Sequence, residues 1–382
     1  MSDRYSVRLL KSIDEVSADN WNACLETDHP FVKFEFLHAL EKSGSTTAET
    51  GWMPQHLILE EDGVMVGAAP MYLKGHSQGE YVFDHSWANA YEQAGGRYYP
   101  KLQLSVPFSP VTGPRFLSPP HEKQQERKTM LAKAVQEVGV KYGLSSAHIT
   151  FLPPEDLGLL EESEYLIRTG EQFHWLNNDY KTFDDFLDQL SSRKRKAIRK
   201  ERRGANAPDL EFEVLKGDQI TSEHWDAFFE FYMDTGSRKW GTPYLTRAFF
   251  DLLCESMPES TLLFMVKREG CYIAGALNLI SSDCLYGRYW GCIEDHRFLH
   301  FETCYYRAID YAIEHGINRV EAGAQGPHKL ARGYLPTKTY SAHWMQDPGF
   351  HRAVADFLKA ETSEMEAEIN YLEGLSPFKK SQ

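Results

Sequence analysis

The sequence predicts an α/β protein made of two similar domains with mixed sheets, followed by a C-terminal helix. A hairpin pattern occurs twice, at 57–69 and 264–276, where two apolar strands flank a charged turn that closes on glycine. A helix that stops at glycine and passes into a strand also occurs twice, at 130–152 and 304–324. Two copies in a chain of 382 residues indicate an internal duplication, with a core in each half.

Each half needs one further strand between its hairpin and its helix, and the patterns at 81–83 and 288–290 supply candidates. We therefore expect an N-terminal domain over 1–172 and a C-terminal domain over 173–347 that carries the active site. Residues 348–382 form a C-terminal helix and tail, in which apolar residues recur at helical spacing. This last helix is predicted to pack and to have no chemical role.

The composition is that of an ordinary globular protein, with 42% hydrophobic and 25% charged residues. No apolar run approaches the length of a membrane span, and the first residues lack the apolar segment of a secretory signal. The six cysteines show no paired spacing, which is typical of free thiols in a reducing compartment. We expect a cytoplasmic protein with no membrane span, no metal and no tightly bound cofactor.

A basic helix is predicted over 193–203, where eight lysines and arginines accompany one glutamate in a chain of net charge −14. Arg195, Arg199 and Arg202 share one face at helical spacing, and arginine presents a planar fork suited to phosphate oxygens. A solvated helix that balances acidic neighbours explains the same pattern. The excess of acid elsewhere restricts any anionic partner to a local contact.

The segment "CIEDHRFLHFETC" at 292–304 contains the first candidate catalytic residues. His300 and Glu302 lie where a predicted strand gives way to a helix, and either side chain can act as a general base on an amine. Cys292, His296, His300 and Cys304 recur at intervals of four, which on one helix would align four metal ligands. Because the residues before the helix predict a loop, no metal site is expected. His300 as a mere packing or capping residue is the simpler alternative.

A second candidate segment, "EAGAQGPHKLARG", follows the last predicted strand of the second half. Its glycines let a ligand approach the backbone, and its proline opens a helical turn whose first N–H groups are unpaired. These groups, with a basic side chain beside them, would hold an anion or a developing oxyanion. A tight turn with surface charges is the simpler alternative. The residues of interest are Glu321, Gln325, Gly326, His328, Lys329 and Arg332.

The loop at 238–246 holds Trp240 and Tyr244, which could form a substrate wall or an ordinary packed loop. The sequence contains no GxGxxG after a strand, no P-loop, no GxSxG and no HExxH. Nucleotide-dependent redox, kinase and serine-hydrolase chemistry therefore find no support.

Several long motifs resemble the FemAB-like predicted N-acyltransferases, which belong to the GNAT-related superfamily that includes the peptidoglycan Fem aminoacyltransferases. They include "FDDFLDQLSSRKRKAIRKER", "GRYWGC", "FLHFETCYY" and "GAQGPHKLARGYLP", and the likeness extends over about residues 5–360. The resemblance implies two tandem GNAT-like domains and places Arg288 and Trp290 at the substrate site. It also gives Arg195 and Arg199 a role in binding phosphate, on the donor or on the acceptor.

The expected function is therefore N-acyl transfer, in which His300, Glu302 or Glu321 deprotonates an amine that attacks an activated acyl group. The resemblance implies acyl-CoA or aminoacyl-tRNA as the donor and a phosphorylated cell-envelope precursor as one acceptor. Neither the glycine-rich pyrophosphate loop of GNAT enzymes nor the coiled-coil arm of some Fem proteins is evident, so the donor stays open. The alternatives are nucleic-acid binding through the 193–203 helix and a non-catalytic ligand-binding module.

Overall fold

The computed structural model describes residues 4–239, 243–323 and 326–379. The chain divides into two compact units, here called unit 1 and unit 2. Unit 1 comprises Met1–Gly170 and Lys338–Ala367, and unit 2 comprises Glu171–Thr337 and Glu368–Gln382.

The chain contains both strands and helices, as expected for an α/β protein. The strands are β1 (Tyr5–Leu10), β2 (Trp52–Pro54), β3 (His56–Glu61), β4 (Val64–Ala69), β5 (Tyr72–Lys74), β6 (Lys101–Leu104), β7 (Ser146–Leu152), β8 (Leu166–Leu176), β9 (Leu210–Lys216), β10 (Thr261–Arg268), β11 (Cys271–Ile280), β12 (Cys284–Cys292), β13 (Arg319–Glu321) and β14 (Leu335–Met345). The helices are α1 (Ala18–Asn22), α2 (Phe34–Lys42), α3 (His85–Gln93), α4 (Gln124–Tyr142), α5 (Leu157–Glu162), α6 (Phe183–Gln189), α7 (Ser192–Ala205), α8 (Ser222–Lys239), α9 (Arg247–Ser256), α10 (Leu299–Phe301), α11 (Arg307–Glu314) and α12 (Pro348–Gly374).

Unit 1 contains a three-stranded antiparallel sheet in the order β1–β3–β4 and a mixed sheet in the order β2–β5–β6–β7–β14. In the mixed sheet β6 and β7 are parallel, and the other neighbours are antiparallel. One face of this sheet is apolar and packs with α4 into a core that includes Leu102, Ile149 and Leu131. The predicted C-terminal helix is present as α12, whose Val354 and Leu358 are buried in a smaller apolar cluster of the same unit.

The opposite face of this mixed sheet is polar and yet buried. Lys101 donates to the carboxylates of Glu80 and Asp84 at 2.7 and 2.5 Å, and the Nδ1 atoms of His148 and His343 lie 2.7 Å apart. The strand predicted at 81–83 is absent, because Glu80 and Asp84 hold this irregular segment over the polar face. The third strand of the first half is β6 instead. The buried polar side chains of this face are Tyr72, Lys74, Lys101, Gln103, Ser105, Ser146, His148, Thr150, Ser341 and His343.

Unit 2 contains a mixed sheet in the order β8–β13–β12–β11–β10–β9. Only β12 and β13 run parallel among these neighbours, since the remaining pairs are antiparallel. The core of unit 2 gathers around Trp175, Phe264, Tyr306, Ile309 and Val320, all buried. The predicted basic helix is α7, and the proline-initiated turn after β13 is a 3-10 helix over Pro327–Arg332.

The two predicted hairpins, β3–β4 and β10–β11, share their geometry in detail. Each turn has a non-glycine residue at positive φ followed by glycine, Asp62–Gly63 at 51° and 82° and Glu269–Gly270 at 52° and 80°. Each ladder also shifts register at the same distance from its turn, between Leu59 and Glu60 and between Val266 and Lys267. The common turn and bulge are what an internal duplication leaves behind.

Candidate functional site

The candidate site lies in unit 2, where two parallel strands separate. Cys284–Tyr286 of β12 pairs with Arg319–Glu321, the whole of β13, and β12 then continues to Cys292 paired with β11 on its other side. A cavity of about 90 Å³ opens at this point, with room for a few non-hydrogen atoms. Its wall is formed by Ala276, Leu277, Asn278, Gly287, Arg288, Tyr289, Trp290, His300, Cys304, Tyr305 and Ala322.

A β-bulge places Arg288 at the point of separation. Leu277 pairs with Tyr289 and Asn278 pairs with Gly287, so Arg288 is the extra residue of β12. Its side chain is 1% exposed, and its guanidinium contacts a carboxylate oxygen of Glu321 at 3.2 Å. Burial lowers the pKa of Arg288, although Glu321 opposes this shift.

Glu321 ends β13, as predicted, but its carboxylate is enclosed by cations. Arg319 approaches one oxygen at 3.3 Å and Arg288 approaches the other, while the Glu321 side chain is 1% exposed. The carboxylate does not belong to the wall of the cavity. Its ion pairs fix the geometry of the strand separation.

A turn of π-helix carries the opposite wall of the cavity. It spans Glu302–Tyr306 between α10 and α11. Such turns are rare in proteins, and those that occur are often found at functional sites. Cys304 and Tyr305 of this turn line the cavity. His300 of α10, just before the turn, lines it as well. Sequence reasoning considered Cys304 only as a metal ligand and missed Tyr305. The motif "FETCYY" contains both residues, but a regular helix was assumed there, and a regular helix would point their side chains in other directions.

His300 and His328 approach each other across Tyr305. The His300 ring lies 5.2 Å from the Tyr305 ring and 6.5 Å from the His328 ring. The Tyr305 hydroxyl is hydrogen-bonded to Nε2 of His328 at 2.9 Å. Partial desolvation, assisted by Arg332 and Lys329, lowers the pKa of His328, while burial raises the pKa of Tyr305. A neutral imidazole and a protonated phenol therefore meet at neutral pH.

Glu302 points away from the cavity and is fully buried. It accepts hydrogen bonds from Nε and Nη2 of Arg202 at 3.2 and 3.1 Å, and Arg307 lies 3.6 Å away. Arg202 also contacts Asp310 at 2.5 Å. These ion pairs attach α7 to the π-helical turn, which is a structural use of the carboxylate.

The 3-10 helix over Pro327–Arg332 holds two predicted binding residues inside the fold. Lys329 is buried and donates to the carbonyl of Gly323 at 2.9 Å. Burial, together with nearby Arg288, lowers the pKa of Lys329 to about 7. Arg332 pairs with Glu201 of α7 at 2.9 Å, and its guanidinium lies 3.5 Å from the centre of the Phe301 ring.

The remaining predicted residues lie in several places. Trp290 lines the cavity, whereas the Tyr244 backbone N–H donates to Tyr232 Oη elsewhere in unit 2. Gly326 has a φ of 127°, and a Cβ there would meet the His328 ring at 2.6 Å, so glycine is required. Trp240 and Gln325 fall outside the described residues.

Arg195 and Arg199 lie on α7 beside the acidic helix α6. Arg195 pairs with Asp188 at 3.0 Å and Arg199 pairs with Asp184 at 2.8 Å, and both carboxylates are exposed. Neither arginine contributes to the cavity wall.

No group of three or more histidines, cysteines or acidic residues in the described ranges could hold a metal ion. No helix in the described part of the chain is long and apolar enough to cross a membrane.

The mixed α/β fold class predicted from the sequence is confirmed. The model of the FemAB-like family, described as peptidoglycan biosynthesis/recognition, matches residues 12–380, and the chain belongs to this family. A search of curated proteins found no significant match.

Solved structures of low sequence identity share the fold. The crystal structure of FemX is 13% identical, with a TM-score of 0.55 over 89% of this chain and 98% of that one. The C-terminal domain of a putative lysylphosphatidylglycerol synthetase from Agrobacterium fabrum is 10% identical, with a TM-score of 0.54 over 90% and 95%. L-PGS from Bacillus licheniformis is 11% identical, with a TM-score of 0.52 over 87% and 98%.

Proposed function

We propose that unit 2 is a transferase domain that moves an acyl or aminoacyl group from an activated donor to an amine of a peptidoglycan precursor. The observation that carries this proposal is the cavity at the separation of β12 and β13, with His300 on its wall. A cavity of this size fits the reacting acyl and amine groups, while the rest of each substrate would lie outside it. Membership of a family described as peptidoglycan biosynthesis/recognition supports the class of acceptor.

His300 is the proposed general base. It takes a proton from the acceptor nitrogen as that nitrogen attacks the acyl carbonyl, a role that suits imidazole at neutral pH. A C–N bond forms, the carbonyl oxygen becomes an oxyanion, and the bond to the donor then breaks as the leaving group takes up a proton. Glu302 and Glu321 are not proposed as bases, because arginines neutralise both carboxylates.

The oxyanion would be stabilised by main-chain N–H groups of β12. Among the described residues the pairing of β12 with β13 ends at Tyr286, so a substrate in the cavity lies beside the main chain of β12 beyond that residue. The Tyr305–His328 pair forms a polar wall beside them. The donor stays open between acyl-CoA and aminoacyl-tRNA.

A role of Arg195 and Arg199 in phosphate binding is retained as part of the proposal. It requires that a phosphate displace Asp188 and Asp184, which are exposed and lie on a neighbouring helix. Exposed ion pairs of this kind contribute about 0–1 kcal/mol, so the exchange costs little.

The test compares His300→Asn with His296→Asn, a matched change at a partly exposed histidine that pairs with Glu294. Transfer from acetyl-CoA, longer acyl-CoAs and aminoacyl-tRNA to UDP-linked precursors is measured for both variants and for the wild type. We expect His300→Asn to lower kcat by roughly 10²- to 10⁴-fold while Tm is preserved. His296→Asn should retain full activity.

Full activity of His300→Asn would remove the base assignment. Saturable ligand binding without turnover in the wild type, followed by thermal shift, would instead favour a non-catalytic binding module.

A further inference from the structure

The outward face of α7 carries a row of basic side chains, here called the basic stripe. Ile198 and Ala205 are buried and mark the side of α7 that packs against unit 2. At 100° per residue, the opposite side carries Arg193, Lys196, Lys200 and Arg203. All four are exposed, and they span about 15 Å along the helix.

No ion pair within the described part of the chain balances the charges of the basic stripe. Arg195, Arg199 and Arg202 on the flank of α7 each pair with a carboxylate at 3.1 Å or less. In contrast, no stripe residue has an ion-pair partner among the described residues. Four uncompensated cations on one helix face require an external anion or solvent.

The shape of the face distinguishes between anionic partners. The stripe follows one helix, and the small exposed residues Ala197 and Gly204 lie on one flank of it, so a flat surface can approach it closely. It contains no aromatic side chain on which the bases of a single strand could stack. The deep and narrow major groove of an RNA duplex does not admit a helix.

We infer that α7 attaches the protein to the surface of a membrane that contains anionic lipids. Lysine and arginine near such a surface each strengthen binding on the order of fivefold, and the effect weakens with salt. The stripe has no apolar residue to insert, so attachment is peripheral and reversible. Glu201 and Arg202 on the same helix pair with Arg332 and Glu302, so attachment of α7 holds the turns beside the cavity at the membrane surface.

Vesicle flotation tests this inference with the full-length protein. Vesicles of phosphatidylcholine with about one third phosphatidylglycerol are compared with phosphatidylcholine alone, at low and high NaCl concentration. The stripe variant is R193Q/K196Q/K200Q/R203Q. The control variant K11Q/K42Q/K133Q/K141Q removes the same number of charges from exposed lysines of unit 1, away from α7.

We expect wild-type protein to float with anionic vesicles at low salt and not at high salt. The stripe variant should bind at least tenfold less well, and the control variant should remain within about twofold of the wild type. Circular dichroism and thermal melting establish that both variants fold.

Equal losses in the two variants, or no flotation of the wild type, would overturn the inference. Displacement of the vesicles by tRNA or duplex DNA at equal phosphate concentration would also overturn it, in favour of a nucleic acid. Acyl transfer to a soluble precursor is measured in parallel and should be unchanged in the stripe variant. The proposal of membrane attachment and the proposal of transferase activity are therefore tested independently.

Discussion

Neighbouring residues of the candidate site have different roles because their side chains have different contacts. His300 and Glu302 are two positions apart in the motif "HFE", yet His300 lines the cavity and Glu302 is buried against Arg202. The sequence places both at the start of a helix and does not separate their roles. The two roles differ because Glu302 pairs with Arg202, which is 100 residues away in the chain.

Lys329 gives a prediction about pH at the residue scale. Its pKa is lowered to about 7, against about 10.4 in an unfolded chain. Below pH 7 the lysine is charged in both states, and the buried charge destabilises the fold by on the order of 4 kcal/mol. Between pH 7 and 10 only the folded state loses the proton, so this penalty fades as the pH rises.

We therefore expect Lys329→Met to raise Tm at pH 6 and to have a much smaller effect at pH 10. Thermal melts of variant and wild type at the two pH values measure the difference. An equal change in Tm at both values would show that the lysine is not destabilised by its burial.

The elements of unit 2 are positioned by close backbone contact. Gly291 of β12 lies against α8, and a Cβ at this position would come within 2.3 Å of the carbonyl oxygen of Phe231. The helix can approach the strand only because this residue has no side chain. The contact sets the path of β12 immediately after the cavity.

We expect Gly291→Ala to destabilise unit 2 by roughly 1–3 kcal/mol, because α8 must move away from β12. Gly158→Ala is the control, since its helix α5 has open space at that position and alanine favours a helix. Urea denaturation should show a lower midpoint for the first variant and an unchanged or higher midpoint for the second. Similar midpoints would mean that α8 accommodates the methyl group.

At the scale of the whole molecule, the two units differ in what lies beside their parallel strand pair where the shorter strand ends. In unit 1, β6 stops at Leu104, and the proline-rich segment after it follows β7. Arg115 of this segment is fully buried and donates to the carbonyls of Thr150 and Val111 at 2.9 and 2.6 Å. Unit 1 thus covers with its own chain the edge of β7 beyond the end of β6.

We expect a substrate to slow amide hydrogen exchange in β12 and in the turn at 302–306 of unit 2. Residues 105–115 of unit 1 should exchange at the same rate with and without substrate, because Arg115 already covers that edge of β7. Exchange followed by mass spectrometry, with and without acyl-CoA or a UDP-linked precursor, measures both regions. Protection confined to unit 1 would contradict the assignment of the site.

Much of the fold could be predicted because its signals are local. The two hairpins have the turn and bulge that their glycines indicate, and Gly143 ends α4 in the left-handed conformation. The prediction of a strand at 81–83 was wrong, because Glu80 and Asp84 on either side of that segment bind Lys101 of β6. The spacing of apolar residues indicates which positions of one segment are buried, but it gives no information about a partner that is distant in the chain.

The candidate site could be predicted only in part. The sequence identified His300, Trp290 and Arg288, which line the cavity, because they occur in long motifs. It did not identify Tyr305 or Asn278, since a π-helical turn and a β-bulge change which side chains face inward. Neither irregularity has a distinct pattern in the sequence.

The sequence by itself determined the duplication, the hairpin, strand, helix, strand order over 264–324 of unit 2, and the basic character of α7. These follow from turn chemistry, apolar spacing and charge, which act between neighbours in the chain. Only the tertiary structure decided which charges are paired and which polar groups are buried. His148 meets His343 across 195 residues and Arg202 meets Glu302 across 100. Such pairs form because desolvated charges and polar groups need partners, and the fold as a whole selects them.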